Sequence, residues 1–142
     1  NMNIYDIIGP VMVGPSSSHT AGAARIGYIA RKLLGETVKD ATILLYGSII
    51  NIAKIDGIQT NFSGDYPTLV VHNLDQPGHV TEVTSMLAHK SINIATMQLY
   101  RSNRGGDAVM VIECDQEIPP ESIQWLEHLE GIIKVTYLSL TE

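Results

Sequence analysis

The chain has 142 residues, 44% of them hydrophobic, and carries 15 acidic against 9 basic side chains, for a net charge of −6 and a pI near 5.2. That acidic balance argues against nucleic acid or an anionic membrane surface as the main partner, and no apolar run approaches roughly 18 residues, so a soluble cytoplasmic protein is expected. The length allows one domain or two small ones, and Cys114, the only cysteine, excludes an internal disulfide or a cysteine-cluster metal site within one chain.

Residues 3–13 are apolar, broken by Gly9-Pro10, and read as a strand or an extended arm. Gly14-Pro15 stops that element, because Pro fixes φ and lacks an N–H. Ser16-Ser17-Ser18-His19-Thr20 follows, setting four hydroxyls and one imidazole in five consecutive residues. Beyond it, Ile26, Ile29, Ala30, Leu33 and Leu34 fall at helical spacing and Gly35 supplies a stop, which predicts a helix over 20–34. The hydroxyl run therefore precedes a helix N-terminus, where N–H groups are unpaired and the dipole favours an anion such as a small carboxylate or phosphate. An N-cap accounts for one hydroxyl, not four beside a histidine, and Ala21-Gly22-Ala23-Ala24 permits close backbone approach.

Residues 42–46 read as a buried strand. One helix and one or two strands cannot bury a core, so the first third of the chain reads as half a domain. Residues 47–51 join two strand-like runs without convincing turn chemistry. Residues 51–55 and 58–62 flank Asp56-Gly57, which suits a type I′ hairpin turn.

From Tyr66 the pattern sharpens. A strand over 66–73 leads through the turn Asp75-Gln76-Pro77-Gly78 into a helix with Val80, Val83, Met86, Leu87 and Ala88 facing inward. Strands over 92–101 and 108–113 flank the loop Asn103-Arg104-Gly105-Gly106-Asp107. Pro119-Pro120 opens a helix through Ile123, Leu126 and Leu129, Gly131 ends it, and 132–140 is the last strand. The order β-α-β-β-α-β is that of a ferredoxin-like sandwich. His72, His79, His89 and His128 lack metal-ligand spacing, and of these His79 alone opens a helix beside a turn. Cys114 reads as a small core or edge residue, Trp125 as a helix-edge or interface residue, and Arg101 and Arg104 as a solvated hairpin end. No G-x-S-x-G elbow is present, which disfavours a serine hydrolase.

The run GPSSSHTAGAARIG, preceded by Tyr5-Asp6-Ile7-Ile8-Gly9-Pro10, resembles the signature of the β chain of bacterial iron–sulfur-dependent L-serine dehydratases. Leu74-Asp75-Gln76-Pro77-Gly78 after one strand and Ile92-Asn93-Ile94 in the next resemble an ACT domain. The resemblance implies an α+β chain, with a partial allosteric-substrate-binding-type α/β domain over 1–62 and a ferredoxin-like βαββαβ ACT domain over 63–142. It also implies a segment missing near 48–51, and hence a polypeptide heavier than 15.5 kDa.

The reaction it implies is β-elimination from L-serine to pyruvate and ammonia, without pyridoxal phosphate. A 4Fe-4S cluster acts as Lewis acid toward the leaving hydroxyl and is held by the cysteines of a partner α chain, with no metal held by this one. By the same resemblance His19, Ser17, Ser18 and Thr20 are catalytic, and Ser16 and Gly22 bind substrate. His19 has the intrinsic pKa for taking the Cα proton, and the helix N-terminus favours its neutral form. The hydroxyls and helix N–H groups suit the substrate carboxylate. The ACT domain implies self-association and regulation by L-serine near Asp75, Gly78, His79 and Asn93. Two alternatives stay open: a non-catalytic regulatory subunit, and a free-standing amino-acid sensor whose first 48 residues are a dimerisation arm.

Overall fold

The computed structural model describes residues 11–13, 20–35, 38–46 and 49–140. The helical spacing after Thr20 is realised as α1 (Thr20–Gly35), which buries Ile26, Ile29, Ala30 and Leu33. The first sheet contains β1 (Val11–Val13), β2 (Ala41–Tyr46), β3 (Ile49–Ile55) and β4 (Ile58–Phe62), in that order. β1 and β2 are parallel neighbours, from Val11↔Ala41 to Val13↔Ile43, so α1 is the crossover of a β-α-β unit. α1 lies against β2 and β3, and Ile43, Ile52, Ile55 and Phe62 of the sheet are buried as well.

The strand over 42–46 has paired neighbours on both sides. β2 runs antiparallel to β3 from Ala41↔Ile55 to Tyr46↔Ile49, with residues 47–48 linking them. β3 therefore starts two residues before the expected hairpin, and the two runs joined without turn chemistry pair directly with each other. The Asp56-Gly57 turn is as expected: φ is 50° at Asp56 and 81° at Gly57, the two positive values that a type I′ turn requires. Asp56 Oδ1 also accepts the N–H groups of Lys39 at 2.7 Å and Asp40 at 3.0 Å, which ties this hairpin to the approach to β2.

A second compact unit begins at Asp65. Its elements are β5 (Thr68–Leu74), α2 (His79–His89), β6 (Ile94–Arg101), β7 (Asp107–Cys114), α3 (Pro120–Glu127) and β8 (Ile132–Leu138). The sheet order is β6-β7-β5-β8 with every neighbouring pair antiparallel, which is the ferredoxin-like arrangement of an ACT domain. Alternate residues Leu69 and Val71 of β5, and Met110, Ile112 and Cys114 of β7, form one core with Val83, Met86 and Leu87 of α2, Leu126 of α3 and Val135 of β8. Burial, with the carboxylates of Asp115 and Glu113 adding to it, pushes the Cys114 thiol up to about 11, so this cysteine is a core residue.

Two residues expected inside α2 are outside. The buried stripe is His79, Val83, Met86 and Leu87, whereas Val80 is 38% exposed and Ala88 is exposed. A stripe at i, i+4, i+7 and i+8 is too narrow to take in Val80 and Ala88 at its flanks. β5 starts at Thr68, after Pro67, which has no N–H to give a ladder. β8 ends at Leu138, beyond which Leu140 N–H and the Ser139 hydroxyl both donate to the Glu117 carboxylate. Among the described residues no helix is long and apolar enough to cross a membrane.

Leu87 is fully buried in this core. Leu87→Ala is expected to cost about 2–5 kcal/mol, and Val80→Ala no more than about 0.5 kcal/mol, both read from the midpoint of denaturant unfolding.

Candidate functional site

The parallel β1-α1-β2 crossover gives the hydroxyl-rich run its place in the topology. Residues 14–19 connect the carboxyl end of β1 to the start of α1 at Thr20. In such units ligands gather beyond the carboxyl ends of strands, where the helix start attracts anions. Ser16, Ser17, Ser18 and His19 lie outside the described residues; Thr20 is the first residue of α1 and Gly22 is in its first turn. No acidic residue occupies that turn, so nothing in it repels an anion.

The second unit offers a cavity of about 210 Å³ where β5 ends and α2 starts. Gly78 caps α2 with φ 100°, in the left-handed region open to glycine, and no side chain bonds to the helix start. The first helical bond runs from Glu82 N–H to Gly78 O at 3.0 Å, which leaves earlier N–H groups of α2 for a ligand.

His79 is buried, with Nδ1 2.7 Å from Glu82 Oε1 and Nε2 3.3 Å from Gln76 Oε1. Asp75 Oδ2 accepts Gly105 N–H at 3.0 Å and Arg101 Nη1 at 2.9 Å. The Gly105 bond first, and the Arg101 guanidinium next, hold this carboxyl below the usual carboxylate range. Asn73, 5% exposed, donates Nδ2 to Leu74 O at 2.7 Å, but its buried Oδ1 has no hydrogen-bond partner. A helix start facing an unsatisfied acceptor and a carboxylate suits a zwitterion, whose carboxylate and ammonium match the two sides. The small volume favours a small one.

Asp75 and His79 line this cavity and Gly78 stands between them in the chain, whereas Asn93 is elsewhere. β5 and β6 run parallel with β7 between them, so the end of β5 and the start of β6 lie at opposite ends of the sheet. Leu74 pairs with Asp107 and Ile94 with Cys114, the two termini of β7. A strand rising about 3.4 Å per residue separates them by roughly 24 Å. Asn93 instead donates Nδ2 to Asp115 Oδ2 at 2.7 Å.

Asn73 and Arg101 fall outside the sequence motifs that mark the other site residues. For Asn73 the signal was available: period two places it on the inner face with Leu69 and Val71, where an amide needs an explanation. Arg101 is a solvated hairpin end, its side chain 55% exposed, that also tethers Asp75. Among the described residues no three or more His, Cys, Asp or Glu side chains converge as metal ligands. With Cys114 in the core, the described residues do not fit an iron–sulfur cluster.

Gly131 locks the cavity wall. Its φ is +86°, and a Cβ there would lie 2.5 Å from both Cε1 and Nε2 of His79. Gly131→Ala is expected to destabilise the protein by about 1–3 kcal/mol from backbone strain alone, and to shift the His79 ring signals in NMR.

No family model matches the chain. It is 29% identical to the probable L-serine dehydratase β chain of Bacillus subtilis, over 96% of this chain and 98% of that one. The alignment runs over 216 residues, more than the 142 here, so that relative has a stretch with no counterpart in this chain. A shorter match, 40% identical over 53 residues, is to the L-serine dehydratase β chain of Peptoniphilus asaccharolyticus and covers 37% of this chain and 24% of that one. D-3-phosphoglycerate dehydrogenase of Methanocaldococcus jannaschii is 31% identical over 100 residues, 68% of this chain but 19% of the dehydrogenase. The chain is thus similar along nearly its whole length to an L-serine dehydratase β chain, and its second unit has the ferredoxin-like ACT arrangement.

Proposed function

We propose that this chain is the β subunit of an L-serine ammonia-lyase and completes an active site with a separate cysteine-bearing α chain, which holds the 4Fe-4S cluster. The observation that carries this reading is the β1-α1-β2 crossover, whose strand-to-helix connection contains Ser16, Ser17, Ser18 and His19 and ends where α1 starts at Thr20. Helix N–H groups and the hydroxyls of Ser17, Ser18 and Thr20 hold the serine carboxylate, with Ser16 and Gly22 shaping its approach. His19 takes the proton from Cα as the hydroxyl leaves Cβ. A neutral imidazole does this; an imidazolium cannot.

The test is reconstitution with an α chain under anaerobic conditions, following pyruvate. This chain alone is expected to be colourless and inactive. In the assembled enzyme, with cluster content matched, His19→Ala and His19→Asn are expected to lower kcat by roughly 10² to 10⁴. Near-normal turnover in both variants removes His19 from the chemistry and leaves the chain a regulatory subunit.

The second unit supplies regulation by L-serine in the cavity of Asn73, Asp75, Gly78 and His79, within a self-associated ACT pair. β6 is an edge strand, and Leu99 of β6, 59% exposed, and Val80 of α2 line the cavity mouth. Antiparallel pairing of β6 with a second copy about Met97 sets the second copy's Asn93 opposite Arg101, since both stand equally far from that centre. Asn93 then joins the cavity from the other subunit.

Calorimetry with L-serine is expected to show saturable binding, weakened about tenfold or more by Asn73→Ala and by Asn93→Ala. No binding, or wild-type affinity in Asn93→Ala, overturns this site.

A further inference from the structure

A second cavity in the ACT unit, of about 500 Å³, lies between the C-terminal half of α2 and the start of α3. Its floor is apolar, with Met86 buried and Trp125 about half exposed. His89 and Lys90 stand on the α2 wall and Glu121 on the α3 wall. Among the described residues neither the Lys90 ammonium nor the Glu121 carboxylate has an ion-pair partner. Ser122, 3% exposed, also lines the cavity, and its buried Oγ has no hydrogen-bond partner.

These features are costly or idle as they stand. A buried hydroxyl without a partner is less stable than the alanine that could replace it. A half-exposed tryptophan beside an apolar hollow leaves a large surface in water. One class of ligand answers all of them: a cation at one wall, an anion at the other and an apolar floor between fit a zwitterion with a bulky apolar side chain.

We propose that this groove is a binding site for a free α-amino acid with a large apolar side chain, such as leucine, methionine or phenylalanine. The α-carboxylate pairs with Lys90, with His89 beside it, and the α-ammonium pairs with Glu121. The side chain packs on Met86 and Trp125, and a polar atom of the ligand meets Ser122 Oγ. The site is independent of the L-serine cavity, which contains no tryptophan and is less than half the volume.

Trp125 is the only tryptophan in the chain, so its emission reports on this groove alone. Titration of the full chain with L-leucine is expected to give a saturable change in emission, and L-serine none. Leucinamide and 4-methylpentanoate, which lack the carboxylate and the amine respectively, should bind about tenfold more weakly or worse. Lys90→Gln should weaken L-leucine about tenfold and leave 4-methylpentanoate, which keeps the carboxylate, no tighter. Glu121→Gln should weaken L-leucine to a similar extent. Ser122→Ala should raise or preserve Tm while weakening binding, which separates a ligand contact from a structural role. The proposal is overturned by no saturable change with leucine, methionine or phenylalanine up to about 10 mM, or by unchanged affinity in both charge variants. An emission shift that follows protein concentration without amino acid also overturns it, because the groove is then covered by a second copy. Binding of L-serine by calorimetry is a separate measurement, so either site can fail alone.

Discussion

The ACT unit depends on how its central strand ends. At the last residues of β5, Leu74 N–H donates to Gly131 O and Asp75 N–H to Gly106 O, both at 2.8 Å. Asp75 Oδ2 then takes Gly105 N–H and Arg101. The turn into α2, the loop between β6 and β7 and the turn into β8 are thereby gathered on two consecutive residues. Gly131 brings its backbone so close to His79 that no side chain fits between them, which holds the imidazole against Gln76 and Glu82. The geometry of the small cavity is thus a by-product of closing the sheet. Asn73 is different, because its unsatisfied Oδ1 contributes nothing to that closure.

Element type and order were legible because each rests on a local signal. The helical spacing after Thr20, the Asp-Gly turn and the alternation in β5 and β7 are properties of short windows. What was not legible came from longer range. The β2–β3 pairing has a weak turn signal, yet two apolar strands seven and six residues long, held to α1, supply enough pairing to form it. The inner face of α2 depends on its rotation about its own axis, which tertiary packing sets, and Val80 and Ala88 fall just outside.

Asn93 shows the same limit at the level of the site. In the chain it stands beyond the turn with α2 between them. The parallel course of β5 and β6 then carries it to the far end of the sheet. Strand direction is a property of topology, and no window of sequence contains it. Asn73 shares the face of Leu69 and Val71 by period two, but Thr68, His72 and Asn73 are all buried in a strand covered on both faces, so what sets Asn73 apart is its unsatisfied Oδ1 and not its burial.

Both candidate L-serine sites use one physical device, a helix start that follows a strand's carboxyl end, but they complement it differently. The run before α1, with Thr20 at the helix start, adds four hydroxyls and an imidazole, groups that exchange protons and rotate to follow a changing charge. The start of α2 is met by an amide oxygen and by a carboxylate locked between an arginine and a backbone N–H. Those groups hold a fixed charge pattern and transfer no proton. The first set suits a substrate whose charge moves during reaction; the second suits a ligand that stays intact. In the proposed reading the same amino acid is therefore turned over at one helix start and sensed at the other, and the difference lies in side chains that can give or take a proton, not in the fold that positions them.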